Sequence, residues 1–369
     1  MSVIKISPVI FAVGEEYQIS VPVSEACVMW VKVGGRCYYD ESNGVLRSFT
    51  ELHKMSVPAK ALDDAREYTI CYRRIIERKP YFSELDDVTE ERYVFRPVEG
   101  ERVLTFNVAD SHGMVNETVA AVKAFEQARG KLDFLILNGD VIDHSGDVKN
   151  FDAIYEICSL VTAGEIPVVF SRGNHDTRGI YAEKIADYTP TRDGFSYFTF
   201  RIGHVWGIVL DCGEDKADTN VEYGGTICCH EFRLRETEYL ESVVKRAKEE
   251  YEAEGVTLRL VIAHSPFTRK FPHPFNIEED IYGRWAELLR NYIKPNLMIC
   301  GHMHRFSIDP VGGENDYLGQ PCTVVVASQP KTSESYYAAG GFVLGKNEAE
   351  VLFTDSEGKV LEENTVKYK

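Results

Sequence analysis

FLILNGD, residues 134–140, is the stretch that decides the fold, because four apolar residues run without a break into Asn138, Gly139 and Asp140. Four other stretches repeat the pattern: LTFNVADSH at 104–112, VVFSRGNHD at 168–176, LVIAHS at 260–265 and LMICGHMH at 297–304. Continuous apolar runs of this length suit strands covered on both faces, which antiparallel sheets with one wet face do not provide. Between them lie residues at helical spacing: Val115, Val119, Val122 and Phe125; Ile154, Ile157 and Val161; Leu240, Val243, Val244, Ala247 and Tyr251; Trp285, Leu288, Leu289 and Tyr292. These stripes are core faces. Two further strands are VWGIVLD and TVVVAS, and two or three short strands are expected after about residue 341. Strand and helix alternating from residue 102 predict an α/β domain.

Upstream the pattern differs. YQISVPV, CVMWVKV, GRCYYD and REYTICYRRII are short β-branched or aromatic runs broken by turn residues, which predicts a small antiparallel β-sandwich over residues 1–98. The loop-like FRPVEGER marks the boundary, with the α/β domain over 99–369. No chemistry is expected in the first segment.

Composition narrows the function. A chain of 369 residues with 44% hydrophobic and 27% charged residues is that of an ordinary globular protein. A formal net charge of −17 without a compensating Lys/Arg stripe argues against a long nucleic acid as partner. The start, MSVIKISPVIFAVGEEYQI, lacks the form of a signal peptide and no segment approaches a membrane span, so a cytoplasmic location without membrane association is expected. Nine cysteines form no CxxC pair, and most are expected to be buried small hydrophobes, including the vicinal Cys228 and Cys229.

The chemistry concentrates at the strand ends. In an α/β sheet the carboxyl ends of the strands line one crevice. Of ten histidines, His112, His175, His264, His302 and His304 fall at these ends, together with Asp110, Asp140 and Asn174. His, Asp and Asn together form the donor set of a borderline metal such as Zn, Mn or Fe, not of a thiolate or all-oxygen site. Seven candidate ligands are too many for one ion, whereas two ions sharing a carboxylate need about that number.

In spacing and order, DxH, GD, GNHD, a lone His and GHxH resemble the calcineurin-like metallophosphoesterases over about residues 101–369. The resemblance implies a four-layer α-β-β-α sandwich preceded by the small all-β domain. It implies two divalent or trivalent metal ions, Mn, Fe or Zn, one held by Asp110, His112 and His304, the other by Asn174, His264 and His302, with Asp140 bridging. His175 would face the leaving group and Asp176 would orient its imidazole. The implied reaction is hydrolysis of a small phosphorylated substrate by hydroxide generated on the metals. Arg178 is a candidate for phosphate binding and equally for bracing a loop. Asp143 and His144 suit either support of a ligand or helix capping. His273 reads as solvated, and His53, His204 and His230 as structural.

A β-sandwich ahead of such a domain is similar in layout to purple acid phosphatases, whose first domain is fibronectin-like. The motifs depart from that branch: Asp143 stands where those enzymes carry a Tyr ligand, GNHD replaces GNHE, and Arg305, Phe306 and Ser307 follow GHMH. A phosphomonoesterase is the expectation. The alternatives are a phosphodiesterase acting on a nucleotide or lipid headgroup, and a catalytically silent scaffold. The long aperiodic segment Gly213–His230 is expected to be a loop beside the site.

Overall fold

In the structure, a computed structural model describing residues 2–368, the strand Phe134–Asn138 sits between Val103–Val108 and Pro167–Ser171, all three parallel. Its side chains alternate between two apolar clusters. Leu135 and Leu137 meet helices Val115–Arg129 and Asp152–Thr162, while Phe134 and Ile136 point the other way into a central layer. A second parallel block, Val205–Leu210, Leu258–Ala263, Leu297–Cys300 and Thr323–Lys331, is built the same way. There Leu260 and Ile262 face the central layer, and Val261 and Ala263 face helices Cys229–Lys245 and Glu279–Leu288. The period-2 alternation of strands covered on both faces thus yields four layers, α-β-β-α.

Strands Thr323–Lys331 and Tyr336–Leu344 join the two blocks into one sheet, and Gly14 closes the far side by exchanging backbone bonds with Thr199 (2.6 Å) and Arg201 (3.0 Å). Within the helical stripes Val119, Val122, Phe125, Ile154, Ile157, Leu240, Val243, Trp285, Leu288 and Leu289 are buried, whereas Tyr292 is half exposed. The C-terminal strands are longer than expected: Tyr336–Leu344, Glu348–Asp355 and Val360–Lys367 form an antiparallel extension.

The N-terminal residues form the expected β-sandwich. Val9–Val13, Glu16–Pro22 and Leu52–Pro58 pack over a second sheet containing Cys27–Val33, Arg36–Tyr39, Glu67–Glu77 and Thr89–Val94. The sheet nevertheless runs across the position where a boundary is expected, at 98/99. Val9–Val13 pairs in parallel with Pro167–Ser171, and Ile10, Met29 and Ile70 share one apolar cluster with Ile136 and Ile262. VIFAV is fully buried, as its unbroken apolar character requires once a neighbour covers each face. Among the described residues no helix is long and apolar enough to cross a membrane.

Candidate active site

Each strand end delivers its polar residue into one crevice, and the local backbone is unusual. Asp110, His112, Asp140, His302 and His304 all have positive φ, between 45° and 69°. Non-glycine residues avoid this region, and where it persists the surrounding contacts must hold it. Asp110 N donates to Gly139 O (3.0 Å), His112 N to Asp140 O (3.0 Å) and His302 N to Asp110 Oδ2 (2.8 Å), so neighbouring turns lock one another. Gly139 lies in the tightest part of this packing: a Cβ there would stand 2.6 Å from Gly173 N and Cα and from His264 Nδ1.

The donor atoms converge in three groups, Asp110 with His112 and His304, His112 with Asp143 and His175, and Asp110 with Asp140 and His264, each within 4.8 Å. His112 Nε2 and His304 Nε2 face each other at 3.4 Å. His264 Nδ1–H donates to Asn138 O (2.7 Å), which fixes the ring and turns Nε2 toward Asp140 Oδ2 (3.1 Å) and Asp110 Oδ1 (3.7 Å). Asn174 Oδ1 lies 3.0 Å from His302 Nδ1. Ser328, which follows the apolar run TVVVA inside the strand Thr323–Lys331, donates to Asp110 Oδ2, a contact that no motif in the sequence signals.

Two carboxylates buried here demand a cation. Burial alone would lower the His264 imidazole, yet Asp140 and Asp110 raise it to about 10. Burial likewise opposes ionisation of Asp110, but His264 and His304 hold its carboxyl well below the ordinary range. Burial and the nearby His264 drop His302 to about 4, leaving it a neutral donor. Asp110 Oδ1, His112 Nδ1 and His264 Nε2 are buried without a well-aligned protein hydrogen bond. Lone pairs converging on two buried carboxylates fit metal ions of the kind His/Asp/Asn sites hold.

Asp176 is placed otherwise than expected. Its Oδ2 accepts from Gly173 N (2.7 Å) and Asp140 N (3.3 Å), so it braces the turn carrying Asp140 and does not orient His175. Burial and the neighbouring Asp140 raise its carboxyl to about 7. The His175 ring is oriented by the backbone instead: Nδ1 bonds Asp143 O (2.8 Å), while the Asp143 carboxylate stays exposed, 3.6 Å from His112 Nδ1. His175 Nε2 lies 3.2 Å from Arg178 Nη1. Arg178 itself is forked onto Glu214 (Nε and Nη2, both 2.9 Å), so the loop-bracing alternative is realised while Nη1 stays beside His175. Glu214, buried and also bonded by Thr177 and Tyr223, anchors the loop that runs from Gly213 to the helix starting at Cys229, so His230 lies on that helix and not in the expected loop.

His144 bonds Gly146 N at the mouth, and His230 pairs with Glu278. His53 is not isolated: it bridges Asp40 (2.7 Å) and Cys27 (3.3 Å) inside the N-terminal sandwich, a pairing that sequence separation concealed. All nine cysteines are free, and Cys37 and Cys228 are the exposed ones.

Residues 106–306, just over half of the chain, match the sequence profile of the calcineurin-like phosphoesterases. Among solved structures, purple acid phosphatase PPD1 from yellow lupin (Lupinus luteus) seeds is similar with a TM-score of 0.61 at 12% identity, over 98% of this chain and 74% of its own. GAP50, the anchor in the inner membrane complex of Plasmodium, is similar at a TM-score of 0.46 and 14% identity, over 73% of this chain and 90% of its own. At these identities the first likeness concerns the fold alone, and the second carries no argument. No curated protein sequence matches.

Proposed function

Since the chain belongs to the calcineurin-like phosphoesterase family and is by that membership a metal-dependent phosphate-ester hydrolase, we propose that it is a phosphomonoesterase with a dinuclear centre. Asp110, His112 and His304 would hold one ion, Asn174, His264 and His302 the other, and Asp140 would bridge. The observation that carries this is the convergence of Asp110, His112, Asp140, His264 and His304 around two buried carboxylates, with Asn174 and His302 in contact beside them and five of the seven donors on backbone at positive φ. When bound, the ions would lower the pKa of water and neutralise phosphoryl oxygens.

The remaining work falls to the chain. Locked turns fix the donor atoms before substrate arrives, so little reorganisation is needed as charge develops. His175, its Nδ1–H committed to Asp143 O, presents only Nε2 to the crevice and can meet the leaving oxygen there. Arg178, forked onto Glu214, keeps Nη1 at the same rim. A monoester has one more unesterified oxygen than a diester, and Arg178 Nη1, held at the rim, can donate a hydrogen bond to it.

Reconstitution with Mn, Zn or Fe, followed by hydrolysis of an aryl phosphate monoester beside the matching diester, tests this, with His302→Ala as control. Monoester preference that disappears in the control is expected. Preference for the diester would replace the reading with a phosphodiesterase using the same donors, and no turnover with any metal would favour a silent scaffold.

A further inference from the structure

A shallow cleft, open to solvent, begins at Asn174 and His302 and runs away from the crevice between the Gly213–Asp215 loop and the segment 269–277. Its walls combine aromatic surface with acid. Phe271 packs edge-on to His302, with centroids 6.1 Å apart, and Phe275 and Tyr317 line the outer part. Phe271 and Phe275 are only half buried although each is a large apolar ring with space beside it. Arg269 pairs with Asp309 (3.2 Å), Glu214 with Arg178, and Asp215 with both Arg178 (3.5 Å) and Lys216 (3.7 Å), so most charge on the walls is paired. Glu279 accepts from the Tyr317 hydroxyl (3.1 Å).

Resting on the phosphomonoesterase reading, we propose that this cleft is the leaving-group subsite and that the preferred ester carries an uncharged planar aromatic or heteroaromatic group on its alcohol. Phe271 and Phe275 give such a ring two apolar surfaces close to the donor atoms. The face of Phe275 already receives Lys216 (5.3 Å) and that of Tyr317 Lys270 (5.2 Å), which argues against a cationic headgroup as the occupant.

Two substrates that share a primary 5′-alcohol test the aromatic surface: ribose 5-phosphate and adenosine 5′-monophosphate. With the metal-loaded full chain, kcat/KM for the monophosphate is expected to exceed that for ribose 5-phosphate by about tenfold or more, the scale of one base–aromatic stack. Phe275→Ala should bring that ratio close to one and Phe275→Tyr should restore it. Equal kcat/KM for ribose 5-phosphate and the monophosphate, or a ratio unmoved by Phe275→Ala, would overturn the subsite while leaving the phosphomonoesterase reading intact. Should no ester turn over, adenosine binding by NMR still decides: saturable binding lost in Phe275→Ala supports the subsite, and no binding overturns it.

Discussion

Replacing Gly139 by alanine probes the site without removing any donor atom. Gly139 has φ +78°, and an added methyl would stand 2.6 Å from the Gly173 backbone and from His264 Nδ1. Neither the backbone nor a ring fixed by Asn138 O can move far. A left-handed alanine costs about 1–2 kcal/mol, and overpacking a tight interior adds roughly 1–3 kcal/mol, giving about 2–5 kcal/mol in all. At ~2 °C per kcal/mol for a chain of this size, the apo protein should melt about 4–10 °C lower. Because the displaced group is His264, metal retention should fall as well. Differential scanning calorimetry of the apo form and elemental analysis after dialysis measure the two effects. A variant with unchanged Tm and full metal content would refute the claim that these glycine turns set the donor positions.

Other residues give independent tests. His175→Ala should keep its metal while turnover falls by about two to four orders of magnitude; elemental analysis beside steady-state kinetics checks this, and loss of metal would reassign His175 as a ligand. Arg178→Ala leaves the buried Glu214 without its cation, so a loss of roughly 2 kcal/mol and faster proteolysis within residues 213–230 are expected, with Arg178→Lys, which cannot fork, recovering only part. Asp63 offers a pH test: burial pushes its carboxyl up to about 6, against a bond from Tyr17 that lowers it. A raised carboxyl contributes stability that is complete below about pH 4 and lost as pH passes 6. Asp63→Asn should therefore gain about 1 kcal/mol on the parent between pH 4 and 7, after allowance for solvent screening of a half-buried group, and parallel urea midpoints at both pH values would contradict it.

The parts of the structure that the sequence made visible are those where one residue type had one reason to be present. FLILN and LRLVIA announce strands covered on both faces, and the strand-end rule located Asp110, Asp140 and His264 before any geometry was known. Ser328 lies inside the strand Thr323–Lys331, so the strand-end rule does not reach it although it bonds Asp110. What stayed hidden depends on distant pairing. Nothing local tells Val9–Val13 that its neighbour is Pro167–Ser171, and nothing local tells His53 that Asp40 lies across the sandwich. Asp176 shows the opposite failing: its place in GNHD suggested the adjacent imidazole, while its carboxylate satisfies two backbone N–H groups of the turn. The left-handed backbone of five donor residues is likewise a product of packing, since none of these residues prefers it alone.

The most direct measurement is anomalous diffraction from crystals of the metal-loaded protein. The account predicts two peaks roughly 3.5–4 Å apart, one beside Asp110, His112 and His304, the other beside Asn174, His264 and His302, with Asp140 between them. A single peak, or two that leave Asp140 untouched, would contradict the dinuclear centre.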